Sequence, residues 1–287
     1  MADFTFAARF ALNSIFIIDG IGPNDPVRGN HLLYENLRDL KMEFPDLLQH
    51  VDRRVVENGA QLLDTIREIA EMSRTLGLRP IVHIECHGTE AGLRVGAAGE
   101  LLPWPLLEPV FRQLNLATGC NLGVVMVVCH GLFALKPVKI TRPAPFYFLL
   151  GSQDELYSVD MRAEMPDFYR TLCETHDLDR AIARVRSCKH FIAEHLVVHA
   201  LGRLIKNALT GKGRAKRIEH AVTLANWQLA ALPREQRREH IRQVRRNAKA
   251  ASRPDPVRLR DHFDRFLPKR EPGFRMQDLI DWAQGKR

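Results

Sequence analysis

Four short stretches of this chain carry almost nothing but apolar residues: Ser14–Asp19, Pro80–Glu85, Leu122–Val128 and Phe146–Leu150. Each is rich in β-branched or aromatic side chains and too short for an independent helix. That pattern fits strands buried on both faces, the environment of a parallel sheet. Between them the period changes to that of a helix. Val55, Leu62, Leu63, Ile66, Ile69 and Met72 recur at steps of mostly three and four residues, predicting an amphipathic helix over Val55–Leu76 that Gly77 terminates. Leu106, Leu107, Val110, Phe111 and Leu114 predict a second over Trp104–Leu116, with Pro105 tolerated in its first turn. Arg28–Met42 reads as a more polar helix that Pro45 interrupts. Gly92–Trp104, with apolar residues on both sides of a Gly-Ala-Ala-Gly turn, reads as a β-hairpin. Strand, helix, strand in succession is a βαβ unit, almost always a right-handed crossover. The fold class expected is therefore α/β, a mostly parallel sheet flanked by helices.

The second half changes character. Phe168–Leu172 and Leu178–Leu209 read as helices, the latter long and apolar on one broad face. Thr210-Gly-Lys-Gly-Arg214 reads as a loop, and without a preceding strand or the Gly-x4-Gly-Lys spacing it is not a phosphate-binding loop. Ile218–Ala231, Glu235–Ala251, Pro256–Phe266 and Met276–Ala283 then follow as helices punctuated by Pro233, Pro254 and Pro268. Residues 200–287 hold 22 Lys and Arg against 9 Asp and Glu, a net +13 within a chain of net +8. The sheet-forming part is thus acidic and the helical tail basic. Such a field can draw nucleic acid or an acidic protein surface to residues 200–287.

Composition narrows the class. With 287 residues, 45% hydrophobic and 7% aromatic, the chain can bury a large core. No run of about 18 apolar residues is present, so no membrane association is expected. The start, Met-Ala-Asp-Phe-Thr-Phe, lacks a basic segment, no signal peptide is read, and the expected location is the cytoplasm. Five cysteines, Cys86, Cys120, Cys129, Cys173 and Cys188, include no CxxC pair and fit reduced thiols.

Two of the apolar strands end in the same way, one in Cys86-His87-Gly88 and the other in Cys129-His130-Gly131. A parallel sheet delivers such residues to its carboxyl edge, where open α/β sheets bind ligands. Nucleophilic catalysis by cysteine needs a deprotonable thiol, a nearby His and amide donors for the oxyanion. Cys129 and His87 supply the first two. The 42 positions between them accommodate a hairpin, a helix and a returning strand. Gly88, following the His, leaves its amide unobstructed, so the amides of Gly88 and Cys129 form the expected oxyanion hole. The competing chemistry is a zinc site drawn from His83, Cys86, His87, Cys129 and His130. Alternation along a strand, however, points His83 and His87 to one face and Cys86 to the other. The bland alternative is a buried apolar Cys and a loop-initiating His-Gly pair.

Ile81-Val-His-Ile-Glu-Cys-His-Gly88, the Gly92-Leu-Arg-Val95 hairpin, Leu101-x-x-Trp104-x-x-Leu107 and Asn121-Leu-Gly-Val-Val-Met-Val-Val-Cys129-His-Gly131, taken in order, resemble the bacterial CHAT group of caspase-like cysteine peptidases. Val159-Asp-Met-x-x-x-Met-x-Asp-Phe-Tyr-Arg-Thr-Leu172 with Leu178-Asp-x-Ala-Ile182 is similar to the final Phe-Tyr helix motif of that group. The resemblance covers about Ile15–Val185. It implies a caspase-like peptidase domain over residues 1–185 with His87 and Cys129 as catalytic dyad, cleaving peptide bonds without a cofactor. It also implies a role in bacterial defence or regulated cell death. The chain departs from the group at His130, where a small or polar residue is usual. Residues 186–287 fall outside the resemblance and are expected to be a basic helical extension that regulates the enzyme or binds a partner.

Cleavage specificity has its own candidates. A strand Phe146–Leu150 beside the Cys129 strand would place Gly151–Glu155 along the groove, making Ser152 and Asp154 substrate-binding residues, with Asp19 as a second carboxylate. An acidic pocket would favour Arg or Lys in the protein substrate. The alternative function is an inactive caspase-like adaptor whose basic tail does the binding.

Overall fold

The computed structural model describes residues 4–23, 25, 30–155 and 158–286. Asn24, Pro26 and the helix start expected at Arg28 lie outside them. The chain forms two compact units, one of residues 8–194 with 265–271, the other of residues 1–7, 195–264 and 272–287. A single cut near residue 185 was expected. Instead, residues 265–271 belong to the unit that carries the sheet.

That unit runs β1 (Ser14–Asp19), α1 (Asn30–Glu43), β2 (His50–Val55), α2 (Gly59–Leu76), β3 (Pro80–Glu85), β4 (His87–Gly88), β5 (Gly92–Val95), β6 (Glu100–Pro103) and α3 (Trp104–Ala117). It continues through β7 (Gly123–Val127), a 3-10 turn at Gly131–Leu135, β8 (Phe148–Gly151), α4 (Ser158–Thr175), α5 (Leu178–Ile182) and β9 (Lys189–Ile192). The main sheet has six strands in the order β2-β1-β3-β7-β8-β9, and β4-β5-β6 form a small second sheet. Every neighbouring pair in the main sheet is parallel except β8 with β9.

The apolar runs became strands because both faces are covered. Phe16, Ile18, Val82, Ile84, Val124, Met126 and Leu149 share one core with Leu62, Ile66, Ile69, Leu107, Phe111 and Leu114 of α2 and α3. On the opposite face, Phe148 packs against Phe168 and His83 meets Tyr169, both of α4. All six residues of β1 and of β3 are buried. Alternation along each strand therefore separates two apolar half-cores, not an apolar face from a wet one.

The differences from the sequence reading lie at the sheet's edges. The helix expected from Val55 begins at Gly59, where the Asn58 side chain accepts a hydrogen bond from the Gln61 amide, and Gly77 ends it at φ 67°. The residues before it form β2, His-Val-Asp-Arg-Arg-Val, an unexpected strand parallel to β1. Its polarity hid it. Arg53 pairs with the fully buried Asp19, and Arg54 reaches Asp52 at 2.7 Å and Glu68 at 2.9 Å. The long helix expected over Leu178–Leu209 is broken into α5, β9 and α6 (Ala193–Leu204), with a π-helical turn at Ile205–Leu209. β9 closes the other edge, where the β8 backbone offers it an antiparallel partner.

The second unit is helical: α6 continues into it, followed by α7 (Gly211–Gln228), α8 (Arg234–Ala251), α9 (Pro256–Phe266) and α10 (Met276–Ala283). Thr210–Arg214, expected to be a loop, contains the start of α7. There Gly213 packs its Cα against the Asn207 carbonyl, leaving no space for a side chain. Phe4, Phe6, Phe274 and Trp282 cluster, and the Lys206 ammonium sits 3.6 Å over the Trp282 ring. No helix among the described residues is long and apolar enough to cross a membrane.

Candidate active site

Register brings the candidate residues to one edge. Asp19 pairs with Glu85, and Glu85 with Val127, so β1, β3 and β7 end level with one another. His87 and Cys129 each lie two residues beyond the Glu85–Val127 pair. β8 pairs Gly151 with Met126, which sets Ser152 next to the same row. The strand order expected for β7 and β8 is therefore found, and four strand ends converge at the carboxyl edge.

Beyond that row the backbone of β4 and the segment that follows β7 come into direct contact. A Cβ added to Gly88 would overlap the Cys129 carbonyl oxygen and lie 2.8 Å from its carbonyl carbon and 3.0 Å from its nitrogen. Any other residue at 88 would separate the two segments. The partnership is thus one of main chains, and it requires glycine. His87 is held in place by pairing with Arg94, and Gly88 by pairing with Leu93. The Trp104 indole, donating to the Thr89 carbonyl at 3.1 Å, fixes the turn that follows.

Cys129 occupies the first central position of a tight turn closed by the Gly131 amide on the Val128 carbonyl at 3.3 Å. The second central position is His130, at φ 57° and ψ 22°. That left-handed conformation is unusual for a residue with a Cβ and costs about 1 kcal/mol. Surrounding hydrogen bonds hold it there. The His130 amide donates to the Asp154 carbonyl at 3.0 Å, Nδ1 donates to the Gln153 carbonyl at 3.1 Å, and the Leu132 amide donates to the Ser152 carbonyl at 2.9 Å. The turn after β7 is thereby zipped to the segment after β8. Lys189 holds the Gln153 side chain at 2.6 Å.

The expected specificity residues differ in what they offer. Ser152 is buried, with its hydroxyl engaged by the Asp154 backbone at 2.9 and 3.1 Å. The Asp154 side chain is exposed and has no partner among the described residues. Asp19 is fully buried, its carboxylate taken by Arg53 and by the Ile21 amide at 3.1 Å. It serves the fold beneath the site, where burial and pairing withhold it from a substrate.

One residue at the edge escaped the sequence reading. Asp25, in the turn-rich segment after β1, places Oδ2 at 2.6 Å from His87 Nε2. A carboxylate only accepts, so Nε2 carries a proton, and in the neutral tautomer that this bond selects Nδ1 is the accepting nitrogen. The available signal was weak: an Asp in a Gly/Pro-rich loop following a strand that ends level with the His strand.

The residues of the zinc alternative are not gathered. Among the described residues no group of three or more His, Cys, Asp or Glu side chains is arranged to hold a metal ion. His83 is fully buried against the Tyr169 hydroxyl at 2.8 Å and Glu85 at 3.2 Å. Cys86 is in the core on the other face, with its sulfur against Gly20. Burial pushes the thiols of Cys120, Cys173 and Cys188 up to about 12, and that of Cys86 higher still. Cys129 and Cys188 are both only partly buried, whereas Cys86, Cys120 and Cys173 are buried.

Two comparisons with known proteins add nothing to this geometry: no protein-family model matches the chain, and no curated protein does.

Proposed function

We propose that this chain is a caspase-like cysteine endopeptidase in which Cys129 is the nucleophile and His87 the general acid–base. The observation that carries the reading is the contact of the Gly88 and Cys129 main chains at the carboxyl edge, with His87 bonded to Asp25 beside it. In the reaction, Nδ1 of His87 takes the Cys129 proton and the thiolate attacks the scissile carbonyl carbon. The resulting oxyanion lies between the amides of Gly88 and Cys129. The proton passes from His87 to the leaving amine as the C–N bond breaks, leaving a thioester. Water, deprotonated by His87, then hydrolyses the thioester and regenerates the thiol.

The exposed Asp154 carboxylate, borne on the segment bonded to His130, supports a preference for Arg or Lys before the cut. Asp25 is the positioning residue: it holds one ring tautomer and stabilises the imidazolium. The caspase-like architecture, the protein substrate and a role in bacterial defence belong to this same proposal. Peptide hydrolysis by wild type, Cys129→Ala and His87→Ala tests it. Loss of nearly all turnover in both variants is expected, and turnover that survives Cys129→Ala overturns it.

A further inference from the structure

The second unit carries a groove unrelated to Cys129. α7 and α8 form an antiparallel hairpin, as the Arg214 guanidinium on the Lys249 carbonyl at 3.0 Å and Arg245 on Glu219 at 3.2 Å establish. At its closed end lies a concavity of about 610 Å³ lined by Asn226, Arg234, Arg237, Arg238, Ile241 and Arg242. The volume is within the range of small-ligand sites, about 300–1,000 Å³. Among the described residues Arg234, Arg237 and Arg238 have no carboxylate partner, whereas Arg242 is 3.5 Å from Glu239. The groove also sits over the first two turns of α8, where the Pro233 cap supplies no side-chain acceptor. The helix terminus adds positive potential to three guanidiniums, offset in part by Glu235 in its first turn.

α8 has no buried residue, so its arginines are not an incidental rim around a packed core. The residue after Asn226 is Trp227, 87% exposed. An indole left this open has no packing role in the described unit, and it is carried on α7 one residue along from Asn226 of the groove lining. Guanidiniums for phosphates and an aromatic face for a base are what sequence-tolerant recognition of single strands requires. A duplex would offer no unstacked base to Trp227, and an acidic polypeptide would make no use of a stacking platform.

We infer that the α7–α8 groove binds single-stranded nucleic acid, with Arg234, Arg237, Arg238 and Arg242 on the phosphates and Trp227 stacked on a base. Such binding is independent of peptidase chemistry at Cys129. It is tested on the full chain by fluorescence anisotropy with a labelled oligo(dT) of about 15 nucleotides, a duplex of the same length and polyglutamate, each over a salt series. The oligonucleotide is expected to bind at low salt and weaken steeply as salt rises. Trp227→Ala should weaken it about tenfold at an unchanged salt slope. Arg237→Ala/Arg238→Ala should flatten the slope by about 1.4, roughly 0.7 for each phosphate that is no longer neutralised. Trp227 and Arg238 are exposed and Arg237 is partly buried, and circular dichroism checks folding of the variants. No binding at low salt overturns the inference. So does duplex binding as tight as single-strand binding with no effect of Trp227→Ala, or polyglutamate binding of equal strength that the arginine variant abolishes.

Discussion

His87 and Asp25 are 62 residues apart in sequence and 2.6 Å apart in space, Nε2 to Oδ2. The pair decides which ring nitrogen remains basic. Asp25→Asn would accept or donate with equal ease and so would no longer enforce the tautomer. Because the imidazole is half exposed, water can replace part of the support. A fall in kcat of about 10–100-fold with KM little changed is expected in steady-state peptide hydrolysis. An unchanged kcat would remove Asp25 from the machinery without touching Cys129.

Gly88→Ala tests the main-chain contact. The added methyl meets backbone atoms of Cys129, which cannot swing aside as a flexible side chain would. The segments must part, destabilising the protein by about 1–3 kcal/mol and separating the two amides proposed to hold the oxyanion. Denaturant titration with a peptide assay should show activity falling far more than the fraction folded.

Asp19 and Arg53 predict a purely structural effect. Arg53→Ala leaves a fully buried carboxylate without its cation, at a cost of about 3–5 kcal/mol. Replacing both members with Asp19→Asn/Arg53→Met should recover much of this in chemical denaturation. Equal instability of the single and double variants would contradict the account of β2 as an edge strand anchored by that pair.

The thiols should separate by how far desolvation holds each one protonated. With Cys86, Cys120, Cys173 and Cys188 all held protonated by burial, iodoacetamide at a pH of about 8 should label native protein chiefly at Cys129. Peptide mapping by mass spectrometry checks it, and labelling of Cys188 at a comparable rate would contradict it.

The central strands were legible because a strand covered on both faces needs an unbroken apolar run, which β1, β3, β7 and β8 display. β2 was not, since an edge strand can satisfy Arg53 and Arg54 through ion pairs and so reads as loop. β9 was hidden by a different cause: Phe191 and Ile192 fit a helical period, and only the unpaired flank of β8 selects the extended form. Likewise, His87, Gly88 and Cys129 announced themselves as endings of apolar runs. Asp25 could not, because its role is created by where a loop returns. Asp19 showed the limit of position alone, for a strand-end carboxylate can face inward to a guanidinium. Residues 265–271 reveal the same limit at the level of units: Arg270 lies 3.5 Å over the Tyr147 ring and donates to the Cys120 carbonyl at 2.9 Å, and no local signal in the basic tail marks that return.

The most direct measurement is a digest of a proteome-derived peptide library, read by mass spectrometry for wild type and Cys129→Ala. Cleavage after Arg or Lys by wild type, absent in Cys129→Ala, is the result the Cys129–His87 site predicts, with Asp154→Ala relaxing the basic preference. Cleavage that persists in Cys129→Ala, or a wild type that cuts nothing, would contradict it.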